Sequence, residues 1–306
     1  MNADRRRVPP FPGAERGKAV VLPDLGAATC DAHAHLDMLE DPAGALVRAG
    51  ACGIGLVASI VDVTEKPERT VDGLVHWLAE AACIAEGLSP VPEVVLIAGV
   101  HPHNASAYTD AVHDQLVALM RDDSRVRALG ELGLDFHYDH SPHDDQRSMF
   151  RRQLALAQET GLPVVVHLRE AHAEGLAILR DVGVPSAGCV IHCFTEGAEL
   201  AEEFLDLSDS IVISFAGPVT FSKAEQIREA ARVVPIDRLL VETDCPFLAP
   251  APYRGRPNEP AFAVLNAAKV ASAKGLEPAE VATAALANAR RLFGMAADDA
   301  DTGGPS

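Results

Sequence analysis

Six side chains able to bind a cation, His33, His35, Glu131, His167, His192 and Asp244, stand at the ends of short apolar runs spread over more than two hundred residues. Each run passes from aliphatic residues to a polar group, in TCDAHAHLD, VRALGELGLD, LPVVVHLREA, CVIHCF and LLVETDCP. Imidazoles and carboxylates gathered in one place hold a divalent ion, and an ion with an open position serves hydrolysis. In DAHAHLD the two histidines alternate along an extended strand, so His33 and His35 leave the same face and can chelate one ion. Glu131 follows apolar residues, where a carboxylate costs several kcal/mol unless it is paired or metal-bound. Its two oxygens can link two ions, which makes it the natural bridge; the alternative is an ion pair with Arg169. His167 and His192 each close an apolar run and together form the second sub-site, although singly each reads as a core histidine. Asp244 can bind an ion and also orient or deprotonate an attacking water; in isolation it is equally a turn residue before Cys245-Pro246. Asp244 and Glu131 are therefore the expected catalytic residues.

The elements that must position these groups follow from the apolar runs themselves. Buried parallel strands are expected near 29–35, 53–60, 94–101, 126–131, 163–168, 189–194, 211–215 and 239–244, with a weaker ninth run, AVVLP, at 19–23. Helix-like stretches lie between them. In HDDQRSMFRRQLALAQETG, Phe150, Leu154, Ala157 and Gln158 follow helical spacing and Gly161 supplies a stop. Alternation of strand and helix predicts a parallel sheet. A doubly wound sheet usually carries a Gly-rich phosphate loop after its first strand, and none occurs here. The expected fold is an α/β TIM-like (β/α)8 barrel with the metal site at the C-terminal ends of its strands. Three segments are expected: a largely disordered leader over 1–26, one barrel over 27–294 and a disordered tail over 295–306.

Composition narrows the function classes. The 306 residues are 48% hydrophobic, enough for a substantial core, with only 5% aromatic residues. The leader's arginines are followed by prolines and charges rather than an apolar stretch, so neither a secretion signal nor a membrane span is expected. The six cysteines form no CxxC pair and fall mostly in apolar runs, as reduced thiols of the cytoplasm do. A net charge of −18 argues against a general electrostatic grip on nucleic acid, while leaving room for a local one. Arg169, Arg254 and Arg256 lie near strand ends, and YRGRPNEP at 253–260 follows the last strand, where barrel loops often bind phosphate. The planar fork of arginine suits phosphate oxygens. Arg169, Arg254 and Asn258 are taken as substrate contacts, as are His101 and His103 of GVHPH, which otherwise form a turn. None of the five lysines closes a strand, so a carbamylated lysine bridge is not expected.

Taken together, DAHAHLD, GVHPH, GELGLDFHYD, PVVVHLREA, VIHCF, VETDCPFLAP, RGRPNEP and NARRLFG resemble, in order over about 29–294, the TatD family of metal-dependent deoxyribonucleases within the amidohydrolase-like barrels. The resemblance implies a two-metal centre on the six ligands and hydrolysis of DNA phosphodiesters. One ion (Mg, Mn or Zn) is expected on His33, His35, Glu131 and Asp244, and another on Glu131, His167 and His192. A metal-bound hydroxide would attack phosphorus. A 3'-5' exonuclease preferring single-stranded ends is expected; the oligomeric state is left open, a monomer being compatible with it. Two features depart from the family pattern: the long leader, and Phe136 where a tyrosine is common. An aminoacyl-tRNA deacylase or another ester or amide hydrolase is the alternative, and a catalytically silent binding module the third reading.

Overall fold

A computed structural model describes residues 8–11 and 20–296. Residues 1–7, 12–19 and 297–306, which hold most of the expected leader and tail, lie outside the described residues. Eight parallel strands run in sequential order: β1 (Thr29–Ala34), β2 (Ile54–Asp62), β3 (Glu93–Gly99), β4 (Val126–Asp135), β5 (Val164–Arg169), β6 (Cys189–Ile191), β7 (Ile211–Phe215) and β8 (Leu239–Val241). The sheet closes where Ala34 bridges Cys245 and the Asp244 amide donates to the His33 carbonyl at 2.9 Å. Around it pack α1 (Pro42–Ala51), α2 (Glu68–Ala85), α3 (Asp110–Asp122), α4 (His143–Thr160), α5 (His172–Val182), α6 (Ala198–Leu207), α7 (Glu225–Val233), α8 (Ala263–Lys274) and α9 (Pro278–Leu292). The TIM-like barrel expected from the apolar runs is thus the fold.

The strands are buried on both faces, which explains why they read as continuous runs of Val, Ile, Leu and Ala rather than as alternating patterns. Two strands end three residues before their apolar runs do. Pairing stops at Ile191 in β6 and Val241 in β8, so His192, Glu242 and Asp244 lie just past the sheet and turn into its mouth. β4, by contrast, continues four residues beyond Glu131 to Asp135. The ninth run forms no strand over its described residues 20–23. Instead the Val21 amide donates to the Tyr253 hydroxyl at 2.7 Å, and that hydroxyl donates to the Val21 carbonyl at 2.9 Å. The chain before β1 is therefore fastened to the loop that follows β8.

Helix α4 braces the strand ends that carry the site. Phe150, Leu154 and Ala157 are buried as its spacing predicts, and Gly161 ends it with φ 68°, its amide donating to the Ala157 carbonyl. Gln158 lies outside this face and donates to the Val182 and Gly183 carbonyls. Two buried glutamines, seven residues apart on one face, do what periodicity could not show. The Gln153 amide group both accepts from and donates to the Val100 backbone at 3.0 Å, fixing the residue before His101. Gln146 does the same for Asp135, accepting at 2.8 Å and donating at 3.0 Å. Among the described residues no helix is long and apolar enough to cross a membrane.

A buried ion pair ties α1 to the loop after β8. The Arg48 Nε donates to both Glu259 oxygens, at 2.9 and 3.0 Å, and Nη1 reaches Asp41 at 3.1 Å. Removing one member of a buried pair strands the other's charge, at a cost of about 3 kcal/mol or more. Glu259→Ala is expected to lower unfolding free energy by that order in urea titration; an unchanged midpoint would show that the pair contributes nothing.

Candidate metal centre

The barrel mouth gathers the expected ligands around one carboxylate. Glu131 is buried, and its Oε2 lies 3.2 Å from His33 Nε2 and 3.8 Å from His35 Nε2. Its Oε1 lies 2.6 Å from His167 Nδ1, 3.1 Å from His192 Nε2 and 3.6 Å from His101 Nε2. Asp244 Oδ1 approaches His35 Nε2 at 3.4 Å and His33 Nε2 at 3.8 Å. Ligand atoms of His33, His35 and Asp244 fall within 4.8 Å of one another, as do those of His101, Glu131 and His167, and those of His33, His192 and Glu242. The ion pair with Arg169 weighed for Glu131 is not formed; imidazoles surround it instead.

Local structure sets which nitrogen each histidine presents. Glu242 accepts from the Ser214 hydroxyl and the Cys193 amide, both at 2.6 Å, and meets His192 Nδ1 at 3.0 Å, which turns Nε2 toward Glu131. Asp135 lies 3.3 Å from His167 Nε2, leaving Nδ1 for Glu131. Carboxylates that hold the far nitrogen of a metal-binding histidine fix its ring and raise its basicity. Asp31 acts on the backbone: it accepts from the Thr243 amide at 2.7 Å and the Thr243 hydroxyl at 2.6 Å, holding the segment between Glu242 and Asp244. Gly133 allows β4 and β5 to approach so closely that a Cβ there would collide with the His167 carbonyl, and its φ of 142° also favours glycine.

His33 provides the test of whether these residues fit an ion. It is fully buried, its ring stacks on His192 at 3.8 Å between centroids, and neither ring nitrogen makes an aligned hydrogen bond. The approach of Nε2 to Glu131 is close but badly directed. Such an orphaned, buried imidazole, one nitrogen a donor and the other an acceptor, costs free energy that a cation on the lone pair would partly recover. The donor set, neutral nitrogens with two anionic carboxylates facing one space, fits a divalent ion.

The electrostatics agree. Burial works against ionisation of Glu131, yet His192, His33, His101 and His167 outweigh it and hold the carboxyl well below the usual range. Burial likewise opposes the charge on Asp244, which the bond to His35 and the nearby His192 and His33 overcome. Burial also opposes the charged forms of His35, His167 and His192, but Asp244 for the first, Glu131 and Asp135 for the second, and Glu242 and Glu131 for the third raise all three. His33 is lowered by burial and by His192, and burial pushes His101 down to about 3.

The expected substrate contacts fare unevenly. His101 belongs with Glu131 and His167 rather than at the periphery. His103 is bound to Asp135 at 2.8 Å and so acts on the framework. Asn258 is fully buried, its amide donating to the Thr243 and Phe247 carbonyls at 2.8 and 2.6 Å, and offers nothing to a substrate. Arg169 and Arg254 are exposed, the first over the Tyr138 ring at 4.7 Å and the second over Phe221 at 4.1 Å. Sequence reasoning passed over Asp31, Asp135 and Ser214; for Asp135 a signal existed in its place at the end of GELGLD.

Comparison with known proteins bears on this centre. A family model described as TatD related DNase matches residues 30–294. The metal-dependent hydrolase YcfH of Escherichia coli (strain K12) is 39% identical over 269 residues, covering 86% of this chain and 94% of YcfH. The 3'-5' ssDNA/RNA exonuclease TatD of Klebsiella pneumoniae (strain 342) is 39% identical over 203 residues, 65% of this chain and 76% of its own. Among solved structures, YjjV, a TatD homolog from Escherichia coli K12, matches with a TM-score of 0.74 at 28% identity, over 88% of this chain and 98% of that one.

An ion entering this set must displace the protons that His35, His167 and His192 hold above their ordinary range. Divalent-ion binding at about pH 7 is expected to release protons, and affinity to weaken as pH falls toward about 6. Titration calorimetry in two buffers of different ionisation enthalpy measures the release; binding with no proton exchange would place the ion elsewhere.

Proposed function

The chain belongs to the TatD related DNase family and is a metal-dependent hydrolase acting on ester bonds; from that premise we propose a 3'-5' exonuclease that removes nucleotides from single-stranded DNA ends by two-metal chemistry. The observation that carries this reading is the division of Glu131, with Oε2 toward His33 and His35 and Oε1 toward His167, His192 and His101. One divalent ion (Mg, Mn or Zn) would be held by His33, His35, Asp244 and Glu131. The other would be held by Glu131, His167 and His192, with His101 beside them. Ions so bound supply Lewis-acid polarisation of the phosphate and activation of water.

The chain's own groups do the rest. Asp244 is ionised and partly open to the mouth, so its Oδ1 can orient a water and take its proton. His101 stays neutral, and because its Nδ1 accepts from the His103 amide at 3.1 Å, the ring proton sits on Nε2, which faces Glu131. Arg169 and Arg254 stand exposed on the rim, where their guanidinium groups can meet phosphate oxygens. A chain of net charge −18 gains little from wrapping duplex DNA, because such binding rests on phosphates neutralised by Lys and Arg. A flexible end threaded to the ions needs only local neutralisation. The Klebsiella pneumoniae relative, a 3'-5' exonuclease of ssDNA and RNA, supports both polarity and strandedness. One chain supplies every residue of the centre, which suits a monomer, and six free cysteines suit the cytoplasm.

The deciding experiment is a panel of single-stranded DNA, duplex DNA, RNA and aminoacyl-tRNA, each with Mg, Mn or Zn. Turnover of single-stranded DNA from the 3' end is expected, and deacylation alone would replace this reading. Chelation should abolish turnover, and Glu131→Ala should remove it while lowering bound metal. Glu242→Gln should reduce metal affinity or activity by roughly 10- to 100-fold, because it only orients His192. Arg254→Ala should raise KM for DNA at unchanged metal content and flatten the salt dependence by roughly 0.7 in log–log slope. An unaltered KM would remove Arg254 from the phosphate path.

A further inference from the structure

Among the described residues, only two of the Phe, Tyr and Trp side chains are exposed, Tyr138 at 42% and Phe247 at 48%, and both stand at the barrel mouth. Tyr138 follows β4 and Phe247 follows β8, strands four places apart in a closed order of eight, so the two rings occupy opposite sides of the rim. Each lies three residues past an aspartate of the centre. The Tyr138 amide donates to Asp135 Oδ1 at 3.2 Å, and the Phe247 amide donates to the Asp244 carbonyl at 2.9 Å. Each also stands edge-on to an imidazole, Tyr138 to His103 at 5.6 Å and Phe247 to His35 at 5.9 Å between centroids. Solvated aromatic rings are costly to keep, and every other described Phe, Tyr and Trp is buried or half-buried, so these two stand apart.

From this placement we infer that Tyr138 and Phe247 are stacking platforms for the unpaired bases on either side of the scissile phosphate, one ring for each flank. The inference rests on the nuclease reading above and deepens it by naming what holds the strand. Stacking suits this chain for a physical reason. Base–aromatic contact tolerates any sequence and needs no positive charge, which a protein of net charge −18 cannot supply over a long surface. Duplex bases are already stacked on one another, so the two rings select single strands without reading bases. Arg169 lies over one face of the Tyr138 ring at 4.7 Å, so a base would use the other face while the guanidinium meets the neighbouring phosphate. Both rings are held in place through backbone. Asp135 accepts from the amides of His137 and Tyr138 while Gln146 fixes it from behind, and the buried Asn258 amide grips the Phe247 carbonyl at 2.6 Å. The Asn258 side chain is thus spent on positioning the ring, not on the substrate.

The test uses the metal-loaded full chain and single-stranded oligonucleotides carrying 2-aminopurine on one or the other side of the cleaved linkage. Stacking on the native rings should quench 2-aminopurine fluorescence at both positions. Tyr138→Ala and Phe247→Ala should each relieve quenching on one flank only and raise Kd and KM about tenfold. Metal content, melting temperature and turnover of methyl p-nitrophenyl phosphate, which has no bases, should be unchanged. Tyr138→Phe and Phe247→Tyr should restore quenching and affinity. An abasic site on the flank served by a ring should erase the difference between native protein and the alanine variant. Equal loss on intact and abasic strands, or native affinity in both alanine variants, overturns the inference while leaving the nuclease reading standing. Absence of any cleavage or quenching of single strands by the native protein overturns both.

Discussion

A carboxylate at the bottom of a barrel mouth, shut away from water, has to be neutralised by something, and Glu131 is neutralised by histidines alone. Five imidazoles lie within 3.8 Å of its two oxygens. Neutral imidazoles are poor counter-charges, so in the metal-free protein protons must be recruited to His35, His167 and His192 to serve the purpose. His33, caught between burial and its stacked neighbour His192, cannot be recruited and is left with unused nitrogens. An arrangement of this kind is poor as a stabilising ion network and good as a cation receptor. The buried positions that cost the apo fold most are the ones a divalent ion would relieve.

That cost explains the rigidity of what surrounds the centre. Several strand ends around the centre are fixed by buried polar groups: Gln153 and Gln146, both of α4, at β3 and β4, Ser214 through Glu242 at β8, and Asp31 through Thr243 where the barrel closes. These are polar groups inside the protein, and they are tolerated because nearly every donor and acceptor among them is matched. A ligand set assembled from strands so distant in sequence has no local means of holding its geometry. It borrows that geometry from a barrel whose strands are buried on both faces, where burial of each large aliphatic side chain contributes about 1.5–3 kcal/mol.

The barrel and the six side chains it gathers at its mouth were legible because each is written locally, a run of aliphatic residues ending in a group able to bind cations. Glu131, His33 and His192 stand out in their own segments. What was not legible depends on contacts between segments. Nothing in GVHPH distinguishes His101, which faces Glu131, from His103, which faces Asp135; only the turn after Pro102 separates them. Asn258 sits in a basic, phosphate-like loop and is nevertheless sealed beneath it, holding Thr243 and Phe247. The run at 19–23 has strand composition, but every barrel edge is already paired, so its backbone meets the Tyr253 hydroxyl instead. Phe136, which stands in a place where tyrosine is common in the family, stacks on His143 at 3.9 Å, and the exposed ring is Tyr138 two residues on.

On the proposed reading, the acidic surface and a polyanionic substrate would be reconciled by separating three tasks that other nucleic-acid proteins perform with one positive face. Charge compensation would be confined to ions held at Glu131 and to Arg169 and Arg254 on the rim, acting on a few phosphates at short range, where screening by salt is weak. Grip would be left to uncharged rings. Exclusion is left to the remaining carboxylates, whose excess of 18 charges repels any length of duplex that does not reach the mouth. Under this division the same negative charge that weakens general binding sharpens the choice of substrate: an end that can unstack gains the ions and the rings together, while a duplex meets the repulsion and gains neither.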